Sequence, residues 1–163
     1  MSAKFSIVIL GCACLIGCGD WYLRGTRTDT VPFDSAYLSG ATAPRLQAAL
    51  RQELGYSGVR LAPKKDAQAT IELTDETFDR RVLSVDSDSG KVREVELGLE
   101  VRFSVRGKDG KLLIPPEKLS WEQDFIFDES SLLGTTETAK VIRRELAEDA
   151  ALTIILRLET IQL

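Results

Sequence analysis

Five carboxylates, Glu94, Glu96, Glu100, Glu122 and Asp124, recur at even spacing along two alternating stretches. Paired carboxylates are the side chains a hydrolase uses as general acid and base. Ser130 and Ser131 offer hydroxyl nucleophiles. Neither group has an imidazole to work with, because the 163 residues include no histidine. That removes the usual proton acceptor of Ser–His and Cys–His pairs and the commonest metal ligand. No glycine-rich phosphate loop, Walker pattern or nucleophile elbow occurs in the sequence. A solvated strand face accounts for the carboxylates without catalysis, so the chain is expected to be no enzyme and to need neither metal nor cofactor. Its 21 basic and 25 acidic side chains give a net charge of −4, without the basic footprint that nucleic acid requires. The cations are scattered as Arg24 and Arg27, Lys64-Lys65, Arg80-Arg81, Lys91 and Arg93, Lys108 and Lys111, and Arg143-Arg144. Of these, Lys91 and Arg93 flank a turn opposite Asp86 and Asp88, which makes them candidate binding residues.

The three cysteines are Cys12, Cys14 and Cys18. After Lys4 the chain runs apolar from Phe5 to Ile16, interrupted by Ser6, Gly11, Cys12 and Cys14. This is shorter than the ~20 residues of a transmembrane helix. It has the basic start, apolar middle and small-residue end of a secretory signal. Its close, Leu15-Ile16-Gly17-Cys18, resembles the lipobox of bacterial lipoproteins, in which the cysteine sulfur receives a diacylglycerol and cleavage occurs just before it. Cys12 and Cys14 leave with residues 1–17, so Cys18 is expected to be the lipidated first residue of the mature chain. It would then have no disulfide partner, and two or three acyl chains give stable anchoring. Loss of Lys4 takes the net charge from −4 to −5. Gly19, where enteric lipoproteins retained at the inner membrane carry Asp, favours the outer membrane.

The elements behind these residues follow from periodicity. Residues 18–41 are expected to form the lipidated N-terminus and a tether, with short strands possible at Thr30–Phe33, where Pro32 would require an edge, and at Tyr37-Leu38. Thr42-Ala43-Pro44 starts a helix carrying Leu46, Ala49, Leu50 and Leu54 on one side, with Gly55 and Gly58 beyond. Ala67, Ala69, Ile71 and Leu73 alternate with polar residues, and Arg81 to Val85 continues that strand past an irregularity near Thr77. Asp86 to Gly90 is a turn. Val95, Leu97, Leu99, Val101, Phe103 and Val105 then alternate with polar positions, the mark of a half-buried strand. Residues 107–110 turn the chain, Pro115-Pro116 make a stiff break, and Leu119, Trp121, Phe125 and Phe127 give a last alternation. A helix from about Thr136 to the C-terminus repeats Ile142, Leu146, Ala150, Ile154 and Leu158. Its final third is apolar around much of its circumference, so it either meets a partner or is covered by the tether. Residues 42–163 thus form an α+β domain, two helices packed on one face of a small, mostly antiparallel four-stranded sheet.

Cys18-Gly19 followed by Trp21-Tyr22-Leu23-Arg24-Gly25 resembles the Cys-Gly-aromatic-x-Leu-Arg-Gly opening of the LptE family of lipopolysaccharide-assembly lipoproteins, with Asp20 inserted. The helix Leu46 to Leu54, the strand Val92 to Val105, the aromatic strand ending Phe125-Ile126-Phe127-Asp128 and the helix around Ile142 to Leu146 follow that family's order. The resemblance implies a lipoprotein held by its lipid anchor in the outer membrane, plugging the lumen of an LptD-type β-barrel, supporting its folding, and taking part in lipopolysaccharide transport without catalysing a reaction. It places one lipopolysaccharide contact near the hairpin of Lys91 and Arg93. A second family contact falls on Leu133-Gly134-Thr135-Thr136, which has no cation to supply. Two other functions fit an anchored domain, a solitary binder of a periplasmic lipid or glycan and a carboxylate hydrolase.

Overall fold

Pro44 occupies the first turn of a helix, where its missing N–H costs nothing, and Leu46, Leu50 and Leu54 follow at one side, all fully buried. In the computed structural model, which describes residues 31–40, 43–128 and 131–162, this helix is α1, Pro44–Tyr56. Its N-cap is Ala43, which brings no side-chain cap. Gly40, at the end of the preceding strand, accepts a hydrogen bond from the Gln47 side chain instead. The exit turns through Gly58 at φ +78°, a left-handed conformation that costs glycine little.

Five strands form one sheet. They are β1 (Ser35–Ser39), β2 (Arg60–Leu61), β3 (Ala69–Val85), β4 (Val92–Gly107) and β5 (Leu112–Ile126), in the order β2-β1-β3-β4-β5. β1 runs parallel to both its neighbours, with Ala36 against Ala69 and Ser35 against Arg60, while β3, β4 and β5 are antiparallel. The sheet is therefore mixed and has one more strand than the periodicity predicted. The extra strand is two residues long, too short to show alternation. The strand near the N-terminus is Ser35–Ser39, which contains the Tyr37-Leu38 candidate, and β2 covers its outer side; of the Thr30–Phe33 candidate, the described residues 31–33 lie outside the strands. Val31 and Phe33 are buried in the core, and Pro32 lies outside the strands.

β5 runs unbroken through Pro115 and Pro116. The strand lies at the sheet edge, where a missing N–H need not interrupt a ladder. The ladder shifts register beside the prolines, between Phe103 and Val105 of β4. The irregularity expected near Thr77 is a bulge between Thr74 and Thr77, with Asp75 at φ +56°.

The last helix, α2, spans Leu132–Glu159 and starts earlier than its hydrophobic repeat. Ile142, Leu146, Ala150, Ile154 and Leu158 are buried against the sheet and α1. Leu97, Leu99, Val101, Phe103 and Val105 of β4 fill the space beneath. Leu152 and Leu156 point away, 41% and 50% exposed. The helical layer does not cover the whole sheet. Beyond Phe78 the helix-side residues Arg80 and Val82 are exposed, so the β3–β4 hairpin overhangs the core.

Candidate functional site

The overhanging tip is organised around one carboxylate. Asp86 Oδ1 accepts hydrogen bonds from the Ser89 N–H at 2.8 Å, the Ser89 hydroxyl at 2.8 Å and the Asp88 N–H at 3.2 Å. Its other oxygen takes the Arg93 guanidinium, Nε at 3.1 Å and Nη2 closer still. Gly90 closes the turn at φ +68°. With four donors aimed at it, and Arg93 the strongest influence, the Asp86 carboxyl is held far below the ordinary aspartate range.

Both candidate residues of the tip therefore belong to one structure, in different roles. Arg93 braces the turn. Lys91 is exposed beside it. Together with Ser89, Ile126, Phe127 and Asp128 they line a depression of about 450 Å³. Arg80 stacks over the Phe127 ring, 5.1 Å from its centre. Val82, Leu83, Val85 and Ile126 add exposed aliphatic surface, Ile126 at 78%. Cations beside bare aliphatic groups are the surface chemistry suited to an amphiphile with phosphates at one end and acyl chains at the other. The sequence showed Lys91 and Arg93. It also showed Arg80 among the cations and Phe127 in the last alternation, but not that the two meet at this end.

The open face of the sheet carries the five carboxylates. Glu96 pairs with Arg81 at 2.8 Å, Glu100 with Lys118 at 2.8 Å, and Glu94 accepts from the Ser84 hydroxyl at 2.9 Å. Glu122 and Asp124 stand on the neighbouring strand, opposite Gly98 and Glu96. Three of the five are thus engaged by cross-strand partners, an arrangement that stabilises a solvated sheet face. Gly98 leaves the space that Asp79 fills, since a Cβ there would collide with the Asp79 carboxylate. Among the described residues, no three metal-ligating side chains cluster. The region Leu133 to Thr136 lies in the first turn of α2, where the Thr135 hydroxyl donates to the Asp128 carbonyl at 3.0 Å. Cys18 and the Trp21 to Gly25 motif lie outside the described residues.

One buried group escaped the sequence. Glu76 sits in the β3 bulge, and its Oε2 is buried without a hydrogen-bond partner. Burial pushes its carboxyl above the ordinary value, and Arg45 of α1 opposes this. The same Arg45 lies over Phe78, 5.7 Å from the ring centre.

A braced, amphipathic hairpin thus projects from a filled two-layer α+β sandwich. The fold is that of several solved lipoproteins. A minor lipoprotein from Acinetobacter baumannii matches with a TM-score of 0.65 and 23% identity, over 78% of this chain and 91% of that one. Lipoprotein B from Nitrosomonas europaea matches at 0.67 and 21%, over 82% and 86%. Rare lipoprotein B from Shewanella oneidensis matches at 0.63 and 24%, over 76% and 91%. No curated protein sequence matches significantly.

The family model of LptE, lipopolysaccharide-assembly, matches residues 27–158. The chain belongs to the LptE family, whose role is assembly of lipopolysaccharide rather than catalysis. The matched span begins after Gly25, so it is independent of the opening motif that first carried the resemblance.

Proposed function

We propose that the protein is an outer-membrane lipoprotein, acylated at Cys18, that plugs the lumen of an LptD-type β-barrel and supports its folding during lipopolysaccharide transport. The observation that carries this is the family match over residues 27–158. Physical features agree with it. The open sheet face is charged yet internally paired through Arg81–Glu96 and Lys118–Glu100, the surface a polar barrel lumen accommodates. Leu152 and Leu156 leave an apolar stripe on α2 for a wall to cover.

The hairpin tip is the proposed point of lipopolysaccharide contact, through Lys91 and Arg93. A chain of net charge −5 after processing does not attract a phosphorylated lipid in bulk, so contact must be local. Arg93 reaches a phosphate only in competition with Asp86, and the aliphatic groups around Ile126 lie exposed beside it.

The test is co-purification. The C-terminally tagged chain is extracted from membranes in mild detergent, and its partners and mass are determined. A stoichiometric large protein whose mobility shifts on heating, with a diacylglyceryl mass on Cys18, is the expected result. An acylated chain that purifies alone would overturn the plug and leave a solitary binder of a lipid or glycan.

A further inference from the structure

The opposite end of the sheet from the hairpin tip holds a second cationic site that the proposed function does not use. Lys64 and Lys65 come from the loop between β2 and β3, Arg106 from the end of β4, and Lys108 from the turn between β4 and β5. The register places them together, since Ala69 pairs with Gly107 and Thr70 with Arg106. They wall a depression of about 490 Å³ on the open face. None of the four forms an ion pair among the described residues, whereas Arg81, Arg93, Arg102, Lys118, Lys140, Arg144 and Arg157 all do. Glu72 is the one carboxylate on the wall. Asp66 and Asp109 occupy the same loops but do not line the site, and Asp109 instead accepts the Lys111 N–H at 3.0 Å. Four unpaired cations around one carboxylate, in a chain that is acidic overall, make a local anion site.

Its position says which anion. β1 is parallel to β3, so the chain enters the fold at this same end. The Gln68 side chain accepts the Asp34 N–H at 2.8 Å, and the Gln68 N–H donates to the Ser35 carbonyl at 3.1 Å. Cys18 lies thirteen residues before Val31, a reach of at most ~45 Å even fully extended. An acylated Cys18 therefore attaches the anchor at this end of the sheet, the end opposite the hairpin tip, and lets this end lie against the leaflet that holds the anchor.

We propose that the Lys64–Lys65–Arg106–Lys108 depression binds the phosphate of anionic phospholipid headgroups in the anchoring leaflet and so fixes the orientation of the domain. The orientation rests on the proposed acylation of Cys18; the phosphate chemistry does not. The acylated full chain is incorporated into phosphatidylcholine vesicles with or without phosphatidylglycerol and treated briefly with an amine-modifying reagent. Modification is then read at each lysine by mass spectrometry. Phosphatidylglycerol should slow Lys64, Lys65 and Lys108 about fivefold, the scale of one cation near an anionic surface, while Lys118 and Lys140 are unchanged. High salt should remove the protection, and Arg106→Gln, an exposed position, should reduce it. Equal rates in the two vesicles would overturn the proposal. Protection by inorganic phosphate in detergent, with none from phosphatidylglycerol, would also overturn it in favour of a soluble phosphate ligand. The mass of the Cys18 peptide is read first, so failure of the acylation and failure of the headgroup contact are told apart.

Discussion

Two substitutions two residues apart on α2 decide whether its outer stripe is open surface. Ile154 is fully buried and Leu156 is 50% exposed. Each change to alanine deletes three carbons. At about 0.8 kcal/mol per buried methylene, Ile154→Ala loses ~2.4 kcal/mol of transfer energy, and the cavity left in a packed core raises this to ~3–4 kcal/mol. Leu156→Ala loses about half the transfer term, ~1.2 kcal/mol, and leaves no cavity because the site is open. Alanine hardly differs from leucine in helix propensity and is favoured over isoleucine by about a few tenths of a kcal/mol, so propensity works against the difference and packing makes it. With a urea slope near ~2 kcal/mol/M, Ile154→Ala should lower the unfolding midpoint by roughly 1.5–2 M and Leu156→Ala by roughly 0.6 M. Circular dichroism of the purified chain in urea reads both. Equal shifts would refute the reasoning. They would mean that a segment preceding Val31 covers Leu156, so that the stripe is internal and unavailable to a barrel wall.

The other predictions concern single polar contacts. Arg93→Ala should speed amide hydrogen exchange at Asp88 to Gly90 while leaving the global urea midpoint nearly unchanged, because the tip overhangs the core. The Asp86 carboxyl is depressed in the fold, so the stability it contributes is present above the ordinary aspartate value. The tip should stay protected on acidification through ~pH 4 and open only well below, and an opening at ordinary carboxylate pH would contradict the four-donor geometry. Glu76 is shifted the other way, so its folded form gains stability at low pH and loses it as pH rises through the folded value. Glu76→Gln should therefore raise the melting temperature at neutral pH, with the gap closing on acidification. Gly98→Ala must displace the exposed Asp79 carboxylate and should cost about 1 kcal/mol or less, the penalty vanishing in an Asp79→Ala background, a coupling that a double-mutant cycle measures directly.

The sequence carried the fold wherever periodicity ran long. The alternation from Val95 to Val105 and the four-residue repeat from Ile142 to Leu158 each mark a buried face, and both faces are buried in the structure. Short or locally contradictory segments hid their state. Arg60–Leu61 is too brief to show a period. Pro115-Pro116 reads as a break, but an edge strand tolerates it, and only the sheet order reveals which strand is the edge. The start of α2 at Leu132 precedes its first buried residue, so no apolar repeat announces it. At the sites, Asp86 and Arg93 were visible because one hairpin holds both. The cluster of Lys64, Lys65, Arg106 and Lys108 was not, because its members come from three loops and strand ends that only register brings together. Glu76 was hidden by the bulge, which turns a nominally alternating position toward α1.

The parallel placement of β1 has a consequence for the order of assembly. β3, β4 and β5 are joined by tight turns and can zip outward from partners close in the chain, such as Val85 with Val92 and Arg106 with Leu112, which is fast because the first contacts close only short loops. β1 meets β3 through contacts 33 residues apart, such as the Gln68 N–H to the Ser35 hydroxyl, and the loop-closure entropy of that pairing must be met before the strand gains anything. β1, which precedes the meander in the chain, is thus among the last strands to find its place. A chain tethered at Cys18 would complete its fold at the membrane by docking its own anchored end onto a meander already formed.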